Sequence, residues 1–142
     1  MTDEHGDFGR RRAGQVKEIT STANPIVKDI RALTSKKDRE ASGTFLSEGL
    51  GFVAEALARD WPIRILVHAI ALRGDRQVRE AVERTLARGG LVLEVSGPVL
   101  TAITRRDNPQ PVLGVFEQRW RRLDELKPGR NDTLVALDRV RD

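Results

Sequence analysis

Cysteine is absent from this 142-residue sequence, and histidine occurs only at His5 and His68. Without cysteine the chain forms no disulfide and no thiolate metal site, which suits a reducing compartment. Neither histidine has a partner at metal-ligand spacing, and we interpret His68 as a loop or structural residue after the second strand. The usual residue patterns of metal-dependent and nucleophilic catalysis are therefore missing.

Long apolar runs are also lacking. No run approaches the roughly 20 residues that span a bilayer, so we expect no membrane partner. The first residues carry mixed charge without an apolar segment, and a secretory signal is not expected. We therefore predict a cytoplasmic protein. A chain of 142 residues suits one domain with a substantial core.

Positive charge is concentrated in two stretches. The net charge is +4, yet residues 10–39 hold nine Lys and Arg against three Asp and Glu, and residues 105–130 hold seven against four. Such segregation raises the local potential that a polyanion experiences. For the second stretch, an arginine-rich solvated surface is the alternative interpretation.

The segment from Ile19 to Gly49 organises the rest of the chain. Asn24 is a suitable N-cap, and Pro25 stands at the first helical position, where its missing N–H is not needed. The pattern predicts a short helix whose apolar stripe consists of Ile26, Val27, Ile30 and Leu33.

Basic residues accompany this helix and follow it. Lys28 and Arg31 lie on a different helix face from the apolar stripe, and residues 36–39 extend the positive charge past the helix end. After Gly43, residues 44–48 are predicted to form a strand. A basic helix that leads into a strand indicates a surface suited to phosphates.

Helices and strands alternate through the following residues. This alternation predicts an α/β fold, a small three-layer α/β/α domain with a mostly parallel four-stranded sheet. Residues 1–18 are predicted to be a flexible N-terminal tail, and residues 118–133 an interdomain linker. Helices are predicted at residues 50–58, from the N-cap Asp75 to residue 88, and at residues 98–103. Strands at residues 63–67, 91–95 and 111–117 complete the four-stranded sheet with 44–48, and a further β-like run covers residues 133–137.

This layout resembles the SpoU-type (TrmH-like) RNA ribose 2′-O-methyltransferases, and within them the N-terminal RNA substrate-binding domain. The resemblance rests on the Asn-Pro helix with Lys28, the basic run 36–39, the strand end Phe45–Gly49 and the segment 104–116. It implies that residues 19–117 form that domain, similar in fold to ribosomal proteins that bind kinked RNA. It also implies that residues 134–142 are the first strand of a truncated methyltransferase domain.

The function implied by the resemblance is RNA recognition for an S-adenosylmethionine-dependent tRNA or rRNA ribose 2′-O-methyltransferase. In the family, the catalytic and cofactor residues lie beyond the strand that residues 134–138 resemble. We therefore expect no catalytic, cofactor-binding or metal-binding residue here, and no activity from this chain alone. S-adenosylmethionine is expected in the full-length parent, which the resemblance implies is a homodimer formed through its catalytic domain.

Nine residues are predicted to contact RNA, in two groups. The first group supplies phosphate-positioning cations: Lys28, Arg31, Lys36, Lys37 and Arg39. The second group combines cations with amides that suit the base edges or ribose hydroxyls of unpaired RNA: Arg105, Arg106, Asn108 and Gln110. A glycine commonly follows the Pro-Gln pair in the family, whereas Pro111 here removes a backbone donor.

Several interpretations stay open at this point. The chain could be a stand-alone ribosomal-type RNA-binding protein without enzymatic activity, or a protein–protein module that docks or dimerises the parent. Trp120 could stack on a base or pack on its own domain. The Gly49-Leu50-Gly51 turn could cradle a phosphate, but it lacks a third glycine and a lysine, and we interpret it instead as a tight turn that caps a helix.

Overall fold

The computed structural model describes residues 14–139 and contains one sheet with helices on both faces. The strands are β1 (Gln15–Ile19), β2 (Thr44–Glu48), β3 (Ile63–Ala69), β4 (Leu91–Val95) and β5 (Val112–Glu117). The helices are α1 (Pro25–Ala32), α2 (Lys36–Ser42), α3 (Leu50–Ala58), α4 (Arg76–Ala87) and α5 (Gly97–Thr104). Two short 3-10 turns cover Ile70–Leu72 and Leu123–Glu125. None of the helices in this range is long and apolar enough to cross a membrane.

The three-layer α/β/α architecture is confirmed. Helices α1 and α5 cover one face of the sheet, where Ile30 and Ile103 pack against aliphatic side chains of β3, β4 and β5. Helices α3 and α4 cover the other face, where Leu57 and Val78 pack around Leu66 and Phe116. Each face therefore has its own apolar cluster, and the central strands are buried on both sides.

The sheet itself corrects the prediction, because it has five strands and is mixed. The strand order is β1-β4-β3-β5-β2. The β1–β4 and β3–β4 pairs are parallel, whereas β5 runs antiparallel to both β3 and β2. The backbone N–H of Ala69 donates to the carbonyl of Pro111 at 2.8 Å, so β5 begins where β3 ends. An aliphatic strand buried on both faces carries no sequence signal for its direction, which is why this reversal was not predicted.

Strand β1 corrects the predicted tail of residues 1–18. Gln15–Ile19 pairs with β4 at the edge of the sheet, and residues 1–13 lie outside the described range. Only Ile19 of the five residues is buried. A short edge strand with one buried side chain has too little alternation to be recognised from sequence.

An ionic network fixes this edge strand to the loop that precedes α4. Arg73 donates through Nε to Glu94 at 2.7 Å and through Nη2 to Glu18 at 2.5 Å. These hydrogen bonds raise the pKa of Arg73 above its ordinary value, so the guanidinium stays charged. His68 lies inside β3 rather than after it, buried, with Nδ1 donating to the Ala69 carbonyl at 2.9 Å and Nε2 3.8 Å from Glu94. This placement gives His68 a structural role.

The C-terminal segment does not form the predicted strand at residues 133–137. Residues 126–139 contain neither helix nor strand, and Leu134, Val135 and Leu137 are exposed. A strand needs a neighbouring backbone to pair with, and none of the described strands lies beside this segment. The assignment of residues 118–133 to a linker and of 134–142 to a second domain stays a prediction.

Candidate nucleic-acid interface

Helix α1 presents the first two predicted cations. Asn24 Oδ1 accepts a hydrogen bond from the Ile26 N–H at 3.1 Å, which fixes the start of the helix as the sequence predicted. Val27 and Ile30 are fully buried against the sheet, which turns Lys28 to solvent. Arg31 lies in the last turn of α1 and is half-buried.

Helix α2 carries the next three cations and was not predicted as a helix. Lys36 and Lys37 are exposed at its start, and Gly43, with φ of 64°, ends it in the left-handed conformation that favours glycine. Lys36 Nζ lies 3.5 Å from Glu40 Oε1, and both side chains are exposed. Such a surface pair is weak, so Lys36 remains available to an anionic ligand.

Arg39 connects the two helices. Its Nη1 donates to the carbonyls of Leu33 at 3.0 Å and Thr34 at 2.9 Å, which are backbone acceptors at the end of α1. The guanidinium therefore satisfies exposed helix-end carbonyls and holds α2 against α1. These contacts make Arg39 a structural residue as well as a candidate RNA contact.

The second predicted group lies on the loop after α5. Arg105 ends that helix with φ of 55° and is exposed. Arg106 Nε lies 3.5 Å from Glu48 Oε2, so a carboxylate partly offsets its charge. Asn108 and Gln110 are exposed on the same loop. All four side chains are accessible, but their surroundings are less positive than those of the first group.

The structure separates the two groups. Strand β2 begins directly after Gly43, which ends α2, and finishes at Glu48, which faces Arg106. Four residue steps of a strand span about 13 Å. Arg39 holds α2 against the end of α1, so the five cations belong to one segment of two adjoining helices, which we call the α1–α2 corner. The 105–110 group lies at the opposite end of β2 from the end of α2.

A cavity of about 610 Å³ opens beside the first group, and we call it the tryptophan cavity. Trp120 was predicted to stack on a base or to pack on its own domain, and no sequence pattern connected it with Lys36 or Trp61. The cavity forms because Thr44 pairs with Glu117 in the sheet, which brings distant segments to one corner. Its lining consists of Lys36, Arg39, Glu40, Phe45, Trp61, Gln118, Arg119 and Trp120.

A second cavity of about 910 Å³ lies beside the 105–110 group. Arg106 and Gln110 line it together with the carboxylates of Glu48 and Glu55, which makes it poorly suited to a polyanion. The N–H of Gly49 donates to the Val112 carbonyl at 2.8 Å, and its φ is 108°. These contacts favour the interpretation of residues 49–51 as a tight turn.

Metal-binding clusters are not found among residues 14–139: no three His, Asp or Glu side chains there are placed to hold an ion. The surfaces beside the two predicted groups can contact a ligand through charged side chains and, at the tryptophan cavity, through aromatic rings.

Comparison with known proteins identifies relatives of one kind. The family described as the MRM3-like substrate binding domain matches residues 24–114. The 23S rRNA (guanosine(2553)-2′-O)-methyltransferase RlmP of Bacillus subtilis is 28% identical over 127 residues, which are 89% of this chain and 46% of that protein. These matches confirm the resemblance to RNA ribose methyltransferases that the sequence indicated.

Solved structures give the same result. An rRNA methyltransferase from Sinorhizobium meliloti with bound AdoMet is 50% identical, with a TM-score of 0.74 over 82% of this chain and 42% of that one. The SpoU methyltransferase AviRb from Streptomyces viridochromogenes, in complex with AdoMet, is 25% identical, with a TM-score of 0.57 over 78% of this chain and 41% of that one. The chain thus spans less than half the length of each of these relatives.

Proposed function

Because this chain belongs to the MRM3-like substrate-binding domain family, we propose that it recognises RNA for an S-adenosylmethionine-dependent ribose 2′-O-methyltransferase. The relatives named as rRNA methyltransferases favour ribosomal RNA over transfer RNA as the substrate class. We place this RNA-binding domain at residues 15–117, because β1 belongs to its sheet, and the protein in the cytoplasm.

The observation that carries the proposal is the corner formed by α1 and α2. Lys28, Lys36 and Lys37 are exposed there, and Arg31 and Arg39 are half-buried beside them. Glu40 is the one carboxylate paired with this group by the contacts of the described residues. A cluster of cations on one short segment suits a phosphate backbone, which carries regularly spaced negative charge.

The test measures RNA affinity as a function of salt. For the Lys36→Ala/Lys37→Ala variant we expect weaker binding and a log–log salt slope shallower by about 1.4–1.8, since each phosphate contact contributes about 0.7–0.9. The control is Arg79→Ala/Arg84→Ala, which removes two exposed charges from α4 that line neither of the two cavities. Equal slopes for the two variants would contradict the assignment to α1 and α2.

The cofactor is proposed to bind outside residues 14–139. The tryptophan cavity is lined by Lys36, Arg39 and Arg119, and these cations do not suit the positively charged sulfonium of S-adenosylmethionine. We therefore expect this chain alone to show neither saturable cofactor binding in calorimetry nor methyl transfer. A homodimeric parent enzyme is part of the same proposal.

Two other functions make different predictions for gel filtration. A protein–protein module would form a dimer that is indifferent to RNA, whereas the proposed function predicts a shift in elution only when RNA is added. A stand-alone ribosomal-type protein would also shift with RNA. The match of residues 24–114 to the MRM3-like substrate-binding domain family favours the enzyme-associated domain over that alternative.

A further inference from the structure

We propose that the tryptophan cavity binds one unpaired nucleotide of the RNA, with its base stacked on Trp120 and its phosphate facing Lys36. This inference rests on the proposed RNA-binding function and adds to it a site for a flipped or single-stranded base. It involves Trp61, Arg119 and Trp120, which lie outside the nine predicted contact residues.

Trp120 is held in place although it is 86% exposed. Its Nε1 donates to Gln118 Oε1 at 3.2 Å. Gln118 is itself fixed to the start of β2, because its backbone N–H donates to the Gly43 carbonyl at 2.7 Å and its Nε2 to the Thr44 carbonyl at 3.4 Å. The indole therefore offers an open face from an anchored position, which lowers the entropy lost when a base stacks on it.

The wall of the cavity provides a second flat surface. Trp61 Nε1 donates to the Glu117 carbonyl at 2.7 Å. The rings of Phe45 and Trp61 pack edge to face, with their centroids 6.3 Å apart. The guanidinium of Arg119 lies 5.9 Å from the centre of the Trp61 ring. Unpaired bases stack on aromatic rings and on arginine planes alike, so this arrangement suits a nucleobase.

The charges favour a phosphate next to that base. Lys36, Arg39 and Arg119 line the cavity against the single carboxylate of Glu40. The volume of about 610 Å³ lies within the range of about 300–1,000 Å³ found for small-molecule sites. A duplex keeps its bases stacked inside the helix and cannot present one to Trp120, whereas loops and bulges can.

The experiment compares a short single-stranded RNA with a duplex of the same sequence, by fluorescence anisotropy of labelled RNA and by tryptophan emission. For Trp120→Ala we expect about tenfold weaker binding of the single strand and loss of most of the emission quenching. Trp120→Phe retains an aromatic face and is expected to stay within about threefold of the wild type. The affinity for the duplex should be the same for Trp120→Ala, Trp120→Phe and the wild type.

Leu123→Ala is the matched control, since Leu123 is 85% exposed three residues further along and lies outside the cavity. Unchanged single-strand affinity in Trp120→Ala would overturn the nucleotide site. If the Lys36→Ala/Lys37→Ala variant still had a shallower salt slope, the proposed function would stand. If Trp120→Ala lost affinity equally for the single strand and the duplex, the nucleotide site would be overturned as well, because equal losses indicate a general contact. Failure of the wild type to bind either RNA would refute both proposals.

Discussion

Gly114 lies in the centre of β5, where a side chain has no room. A Cβ at this position would come within 2.4 Å of Phe116 Cε2 and 3.1 Å of Val53 Cγ2. Phe116 is fully buried in the cluster under α3 and α4, so its ring has little freedom to move. We expect Gly114→Ala to lower the free energy of unfolding by about 1–3 kcal/mol, measured by chemical denaturation.

Gly51 provides the control for this substitution. It lies in the first turn of α3, and a Cβ there would have no atom within 4 Å. Gly51→Ala should leave stability unchanged or raise it by up to about 1 kcal/mol, because alanine favours the helix. Equal effects of the two substitutions would show that the contact with Phe116 is relieved by movement of the strand.

At the residue scale, only part of the role of Arg39 could be predicted from the sequence. Its position after a basic helix predicted a phosphate contact, and that prediction concerns its charge. The hydrogen bonds to the carbonyls of Leu33 and Thr34 depend on the turn between α1 and α2, which the sequence did not reveal. A substitution of Arg39 therefore changes the position of α2 as well as the charge, and Lys36 and Lys37 are the better probes of RNA contact.

At the scale of elements, the predictions succeeded where burial is strong and periodic. Asn24 and Asp75 cap α1 and α4 as predicted, and β2 has the predicted bounds. The sequence signal failed for β1, with one buried residue, and for α2, with none. Such elements are held by backbone pairing and by arginine contacts with other elements, and these leave no hydrophobic pattern.

The attachment of β1 leads to a prediction about its dynamics. Arg73→Met removes the cation that joins Glu18 to Glu94, which are register partners in adjacent strands. The two carboxylates would then repel each other across the β1–β4 pair. We expect amide hydrogen exchange in β1 to become several-fold faster, while the central strand β3 keeps its protection.

Arg76→Met is the control for that measurement. Arg76 pairs with Glu80 on the surface of α4, and an exposed pair of this type contributes little. Exchange in β1 should be unaffected by it. If Arg73→Met also left exchange in β1 unchanged, backbone pairing with β4 and the burial of Ile19 would be sufficient to hold the strand.

At the scale of the whole molecule, the part of the site that is formed by neighbouring residues in sequence could be predicted, and the part that is formed by distant segments could not. The five cations of residues 28–39 belong to two adjoining helices that follow each other in sequence. The tryptophan cavity instead joins residues 36–45, Trp61 and residues 118–120, and it exists because β2 pairs with β5. That pairing is non-local and antiparallel, and the sequence pattern indicated neither its partner nor its direction.

The separation of the two predicted groups gives a test of the RNA footprint. Arg105→Asn/Arg106→Gln removes both charges at the far end of β2, and asparagine suits the left-handed backbone of position 105. Because Arg106 faces Glu48, we expect this variant to flatten the salt slope by about 1 or less, a smaller change than that of Lys36→Ala/Lys37→Ala.

A variant that combines Lys36→Ala/Lys37→Ala with Arg105→Asn/Arg106→Gln tests whether one RNA contacts both ends of β2. Sites without shared partners that lie more than about 7–10 Å apart act independently, so the slope changes in the quadruple variant should add. An RNA that occupies only the α1–α2 corner would leave the slope of Arg105→Asn/Arg106→Gln equal to that of the wild type. That result would assign the charge of the 105–110 loop to solvation, and it would confine recognition to the corner that also contains Trp120.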